Sequence, residues 1–78
     1  MNNDMTYARL LLSIYDRKLM NGETSFARSG IEKGDFTAMC TNPKYVITRE
    51  RTEHICECMN ITGEEKEQLL EFCYKAGK

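Results

Sequence analysis

Residues 26–42, F-A-R-S-G-I-E-K-G-D-F-T-A-M-C-T-N, decide the fold. A helical segment ends at Gly30, where the missing Cβ permits the left-handed turn that closes a helix. Ile31 follows at once, and a second helical segment carries apolar residues at Phe36, Met39 and Cys40. Helix, glycine turn, helix is the pattern of a helix-turn-helix unit. The second helix is expected over about 32–41, where Thr41-Asn42-Pro43 stops it. Asn42 is pushed toward extended backbone by the proline after it. Gly34 lies in the first turn and weakens the helix by about 1 kcal/mol against alanine. It is useful only where something must approach closely or where the turn requires it.

The rest of the chain reads as helix too, giving five helices and no strands. Asp4 or Thr6 can start the first. Tyr7, Leu10, Leu11, Ile14 and Tyr15 then recur at i, i+3, i+4, i+7 and i+8, a wide apolar stripe. Gly22 breaks that pattern, and the second helix is expected over about 23–29. Its acidic start suits the positive end of a helix dipole. Residues 44–47 form a loop. Thr48 is the expected N-cap of the fourth helix, which reaches about Met59 with Ile55, Cys58 and Met59 facing the core and Thr52 one turn earlier. Thr62-Gly63-Glu64-Glu65 matches a capping box at the start of the fifth helix. Leu69, Leu70 and Cys73 give its buried face, with Phe72 or Tyr74 at the margin, and Gly77 sits where a terminal glycine belongs.

The 78 residues form a single domain near the lower end of independent stability, with little room for a deep catalytic pocket. The net charge of -1 argues against a strong non-specific polyanion binder. The charge is uneven, with eight Lys/Arg against six Asp/Glu over residues 1–51 and three against six over 52–78. No apolar run is long enough to span a bilayer, and no small-residue cleavage site follows Leu10-Leu11-Leu12. A cytoplasmic protein with reduced cysteines is the expectation.

The order of elements resembles the Cro/repressor-type, or lambda-repressor-like (Xre-like), helix-turn-helix family. The resemblance covers about residues 6–76. Its most specific parts are S-G-I-E-K-G-D-F-T-A-M-C-T-N-P at 29–43 and M-N-I-T-G-E-E-K-E-Q-L-L at 59–70. It implies a compact all-α, five-helix domain of a bacterium or phage, with the helix-turn-helix at helices two and three. It also implies double-stranded DNA as partner and transcriptional regulation as role. Carried over by position, the groove-facing residues are Lys33, Gly34, Thr37 and Ala38. Thr24 falls near the phosphates at the start of helix two, and Thr41, Asn42 and Lys44 lie in the loop after helix three. The chain departs from the family's pattern in Glu23, Glu32 and Asp35, which put negative charge near the expected DNA face. Ser25 stands where the family prefers an aliphatic core residue.

Read as chemistry, Lys33 can donate to a guanine edge and Thr37 to a base edge. Gly34 and Ala38 let the helix sit deep in a groove. Arg28, Lys44, Arg49 and Arg51 can hold phosphates and fix register. His54 and Cys58 share a helical face at i, i+4, but Cys56 points elsewhere and C-x-C on a helix lacks the convergence of a zinc site. Neither a metal nor another cofactor is expected. One histidine and scattered carboxylates make no catalytic constellation, so an enzyme is not expected. The alternative function is a domain of this fold used for protein–protein contact without strong DNA affinity. Met20, Phe72 and Tyr74 would then be left partly exposed, and a homodimer is a further expected partnership.

Overall fold

The computed structural model describes residues 5–78, and these are all-helical with no strand. Five helices follow in order: α1 (Tyr7–Met20), α2 (Phe26–Ser29), α3 (Lys33–Thr41), α4 (Arg49–Met59) and α5 (Gly63–Lys75). Thr6 caps α1 by accepting from the Arg9 backbone N–H, while Asp4, the other candidate start, lies outside the described residues. The predicted stripe of α1 is buried in full, and Ala8 joins it. α1 packs against α3 and α5, while α4 packs against α2 and α5. Ile31, Met39, Ile47, Ile55, Cys56, Met59, Ile61, Leu69 and Cys73 complete the core.

Several boundaries differ from expectation for identifiable reasons. The second helix is a single turn beginning at Phe26 rather than at position 23. The Glu23 backbone N–H is taken by the Lys18 carbonyl at 2.8 Å, closing α1 instead of opening α2. Ser25 is the N-cap, its hydroxyl accepting from the Arg28 N–H at 3.4 Å. This is why a serine stands where an aliphatic residue was expected. On α4 the buried stripe is Thr52, Ile55, Cys56 and Met59, so Cys56 takes the core position expected of Cys58. The capping box at 62–65 does not form, since Thr62 makes no side-chain cap bond. Glu65 instead accepts two hydrogen bonds from the Arg17 guanidinium, each 3.0 Å, tying α5 to α1. That pair holds the Glu65 carboxyl below its usual range. Cys40, expected on the apolar side of α3, is exposed.

A polar knot joins three helices inside the core. Tyr7 Oη lies 2.7 Å from Thr52 Oγ1, Thr52 donates to the Thr48 carbonyl at 2.8 Å, and Cys73 Sγ donates to the Ile47 carbonyl at 3.3 Å. With the threonine proton committed to Thr48, Tyr7 is the donor to Thr52. Burial pushes the Tyr7 phenol and the Cys73 thiol up, and it raises the Cys56 thiol to about 11. These groups are neutral in the folded core.

Candidate nucleic-acid interface on the third helix

The turn between α2 and α3 is built on two residues. Gly30 adopts φ +82°, a conformation that strains any residue with a Cβ. A Cβ there would also meet Cys58 Sγ at 3.0 Å and His54 at 3.3 Å. Ser29, fully buried, donates its hydroxyl to the Phe26 carbonyl at 2.8 Å and accepts from the Ile31 N–H at 3.1 Å. Its hydroxyl satisfies groups that the tight turn would otherwise leave unpaired. Ile31 then enters the core and fixes where α3 departs.

Met39 anchors α3 from inside, and Phe36 packs on the core edge-to-face with Tyr15 and Phe26, at centroid distances of 5.9 and 5.6 Å. The opposite side of the helix faces outward. Lys33, Gly34, Thr37 and Thr41 are exposed and Ala38 is half-buried. They follow one another at i, i+1, i+4, i+5 and i+8, which is one helical face. A Cβ on Gly34 would meet nothing within 4 Å, and its φ is not positive. Neither the fold nor the turn therefore requires a glycine at this position. The Thr41 hydroxyl donates back to the Thr37 and Ala38 carbonyls at 3.1 and 3.3 Å. Asn42 accepts from the Lys44 N–H at 3.0 Å, shaping the loop after the helix.

The three acidic residues near this face contact two cations, Arg51 serving two of them. Asp35, with only 12% of its side chain exposed, turns away and takes hydrogen bonds from Tyr45 Oη at 2.6 Å and from Arg51. The carboxylate holds the Tyr45 phenol above its ordinary range. Arg51 also lies 3.4 Å from Glu32, and Lys18 lies 3.3 Å from Glu23. Asp35, Tyr45 and Arg51 thus form a joint that fastens α3 to the following loop and to α4. The joint has no sequence signature, because the three residues lie 6 to 16 positions apart and fall on no common periodicity.

Two residues expected on the phosphates are placed otherwise. Thr24 is buried at 6% exposure, its hydroxyl donating to the Ser25 carbonyl, because the chain turns inward there before α2 begins. Arg51 is half-buried and committed to Asp35 and Glu32. Arg28, Lys44 and Arg49 are exposed, and their side chains make no ion pair among the described residues. His54 and Cys58 are exposed neighbours at 3.4 Å, while Cys56 is buried apart from them. No group of three or more metal-ligating side chains occurs among the described residues. No helix described is long and apolar enough to cross a membrane. No protein-family model, curated protein or solved structure matches the chain.

Proposed function

We propose that this protein is a divergent Cro/repressor-type helix-turn-helix protein that binds double-stranded DNA in transcriptional control, with α3 entering the major groove. The observation that carries the reading is the division of labour on α3. Its acidic side chain, Asp35, is turned inward and paired, whereas Lys33, Gly34 and Thr37 stand outward with no role in the core. A bare glycine on an exposed helix weakens that helix, and it is accounted for when another surface must come close. Lys33 supplies the long donor for a guanine edge, Thr37 a hydroxyl for a base edge, and Ala38 a small neighbour. Arg28, Lys44 and Arg49 supply phosphate contacts from α2, the loop after α3 and the start of α4. Thr41 and Asn42 lie along the same path.

The rival reading, a protein-binding module, is favoured by the acidic balance over residues 52–78. Binding of a random duplex pool, measured by fluorescence anisotropy at low and moderate salt, separates the two. DNA binding predicts affinity that falls steeply with salt. Lys33→Ala is expected to weaken binding by about 1–3 kcal/mol, and Arg49→Ala to reduce the salt slope by about one. An absence of binding at low salt, or an unchanged affinity in the double variant, contradicts the proposal.

A further inference from the structure

Towards the end of α4, His54 and Cys58 stand at i and i+4 on the exposed side of the helix. His54 Nε2 lies 3.4 Å from Cys58 Sγ. With the ring proton on Nδ1, Nε2 accepts from the thiol. A nucleophile is thereby in hydrogen-bond contact with a base that can take its proton. The pair also abuts the α2–α3 turn. A Cβ on Gly30 would meet Cys58 Sγ at 3.0 Å, His54 Cδ2 at 3.3 Å and Cys58 Cβ at 3.4 Å. The sulfur thus has the base, the bare glycine and solvent all within reach. The other three thiols lack this combination. Cys56 and Cys73 are buried, and burial pushes both thiols up. Cys40 is exposed but has no hydrogen-bond partner among the described residues.

We infer that Cys58 is a thiol-modification site, with His54 as its base and a small disulfide as its co-reactant, and that the adduct loosens the turn at Gly30. Cys58 gives its proton to His54 Nε2, and its sulfur attacks one sulfur of the disulfide. A new S–S bond forms to Cys58 as the old one breaks. The departing thiolate leaves with the electron pair of that bond and takes the proton from the imidazolium. The Cys58 sulfur is oxidised and the departing sulfur is reduced. Such exchange needs a deprotonated, accessible sulfur, and the pair supplies both conditions. The adduct adds bulk to a sulfur that already touches the turn, and it removes the thiol proton that His54 accepts. The turn that sets where α3 departs then gives way around Gly30. Neither the exchange nor the loosening rests on the DNA reading, since both follow whatever α3 contacts.

Reaction of the intact, fully reduced chain with glutathione disulfide at neutral pH tests this, with mass spectrometry locating the adduct. Cys58 is expected to react at least about tenfold faster than Cys40, the accessible reference in the same molecule. His54→Gln keeps a side chain of similar reach but no base, and it should bring Cys58 down to the Cys40 rate. His54→Ala should do the same. Both residues of the pair are on the surface, and circular dichroism checks that the variants fold. Cys58→Ser should abolish the fast reaction and leave that of Cys40. The Ile31 amide, held by Ser29 Oγ at 3.1 Å inside the turn, reports the second half of the inference. In the adduct it should exchange with deuterated water at least about threefold faster than in the reduced chain. A Cys58 rate no greater than that of Cys40, or one indifferent to His54→Gln, overturns the site. An adduct that leaves Ile31 exchange unchanged overturns its coupling to the turn.

Discussion

Thr52 shows how one buried hydroxyl can organise a small core. It accepts from Tyr7 on α1, donates to Thr48 at the start of its own helix, and lies 3.3 Å from Cys73 on α5. Its partners are unequally dependent on it. Removing the phenol oxygen with Tyr7→Phe leaves Thr52 satisfied by Thr48 and should destabilise by about 1 kcal/mol. Thr52→Val keeps the shape but leaves the Tyr7 hydroxyl buried without its acceptor, a loss of about 1–3 kcal/mol. Urea unfolding of the two variants should rank valine as the more damaging. The reverse order would mean that the phenol finds a substitute acceptor. The sequence placed Thr52 on the core side of α4 but held no sign of its partners, since Tyr7 and Cys73 lie 45 and 21 positions away.

Among the elements, the two glycines around the α2–α3 turn have opposite roles. Gly30 is held by its positive φ and by the close approach of Cys58 and His54. Gly30→Ala should destabilise by more than about 1 kcal/mol, because the native conformation is incompatible with a Cβ. Gly34 is in open space with ordinary helical backbone. Gly34→Ala should therefore raise stability by up to about 1 kcal/mol, visible as a higher midpoint in urea. The same variant should bind DNA more weakly, since its new methyl group stands on the face assigned to the groove. A gain in stability with unchanged affinity would remove Gly34 from that face. Helices governed by periodicity and strong caps were legible from the chain: the α1 stripe, Thr48 at the start of α4, and Asn42 extended before Pro43 all match. Local signals misled where a distant partner competed. Glu65 is drawn to Arg17 across the interface between α1 and α5 instead of closing a capping box. Cys56 and Cys58 exchanged roles because a two-residue spacing on a helix leaves the buried side open until the packing is known.

For the whole molecule, fold class and helix order follow from patterning, since one domain of this size must bury each apolar stripe against another. The electrostatic surface does not follow from patterning. Glu23, Glu32 and Asp35 read as negative charge spoiling the α3 face, yet Lys18 and Arg51 meet all three. Pairing at distances of 5 to 19 positions cannot be read from a net charge. Thr24 and Arg51 were lost from the expected phosphate contacts for the same reason: burial and pairing are properties of the packed chain. An amide chemical-shift titration of the labelled protein with a short duplex tests the proposed DNA contact and reads the surface involved. The prediction is perturbation centred on residues 33, 34, 37 and 38, with weaker effects at 28, 44 and 49. Shifts that avoid α3, or none at low salt, would contradict it.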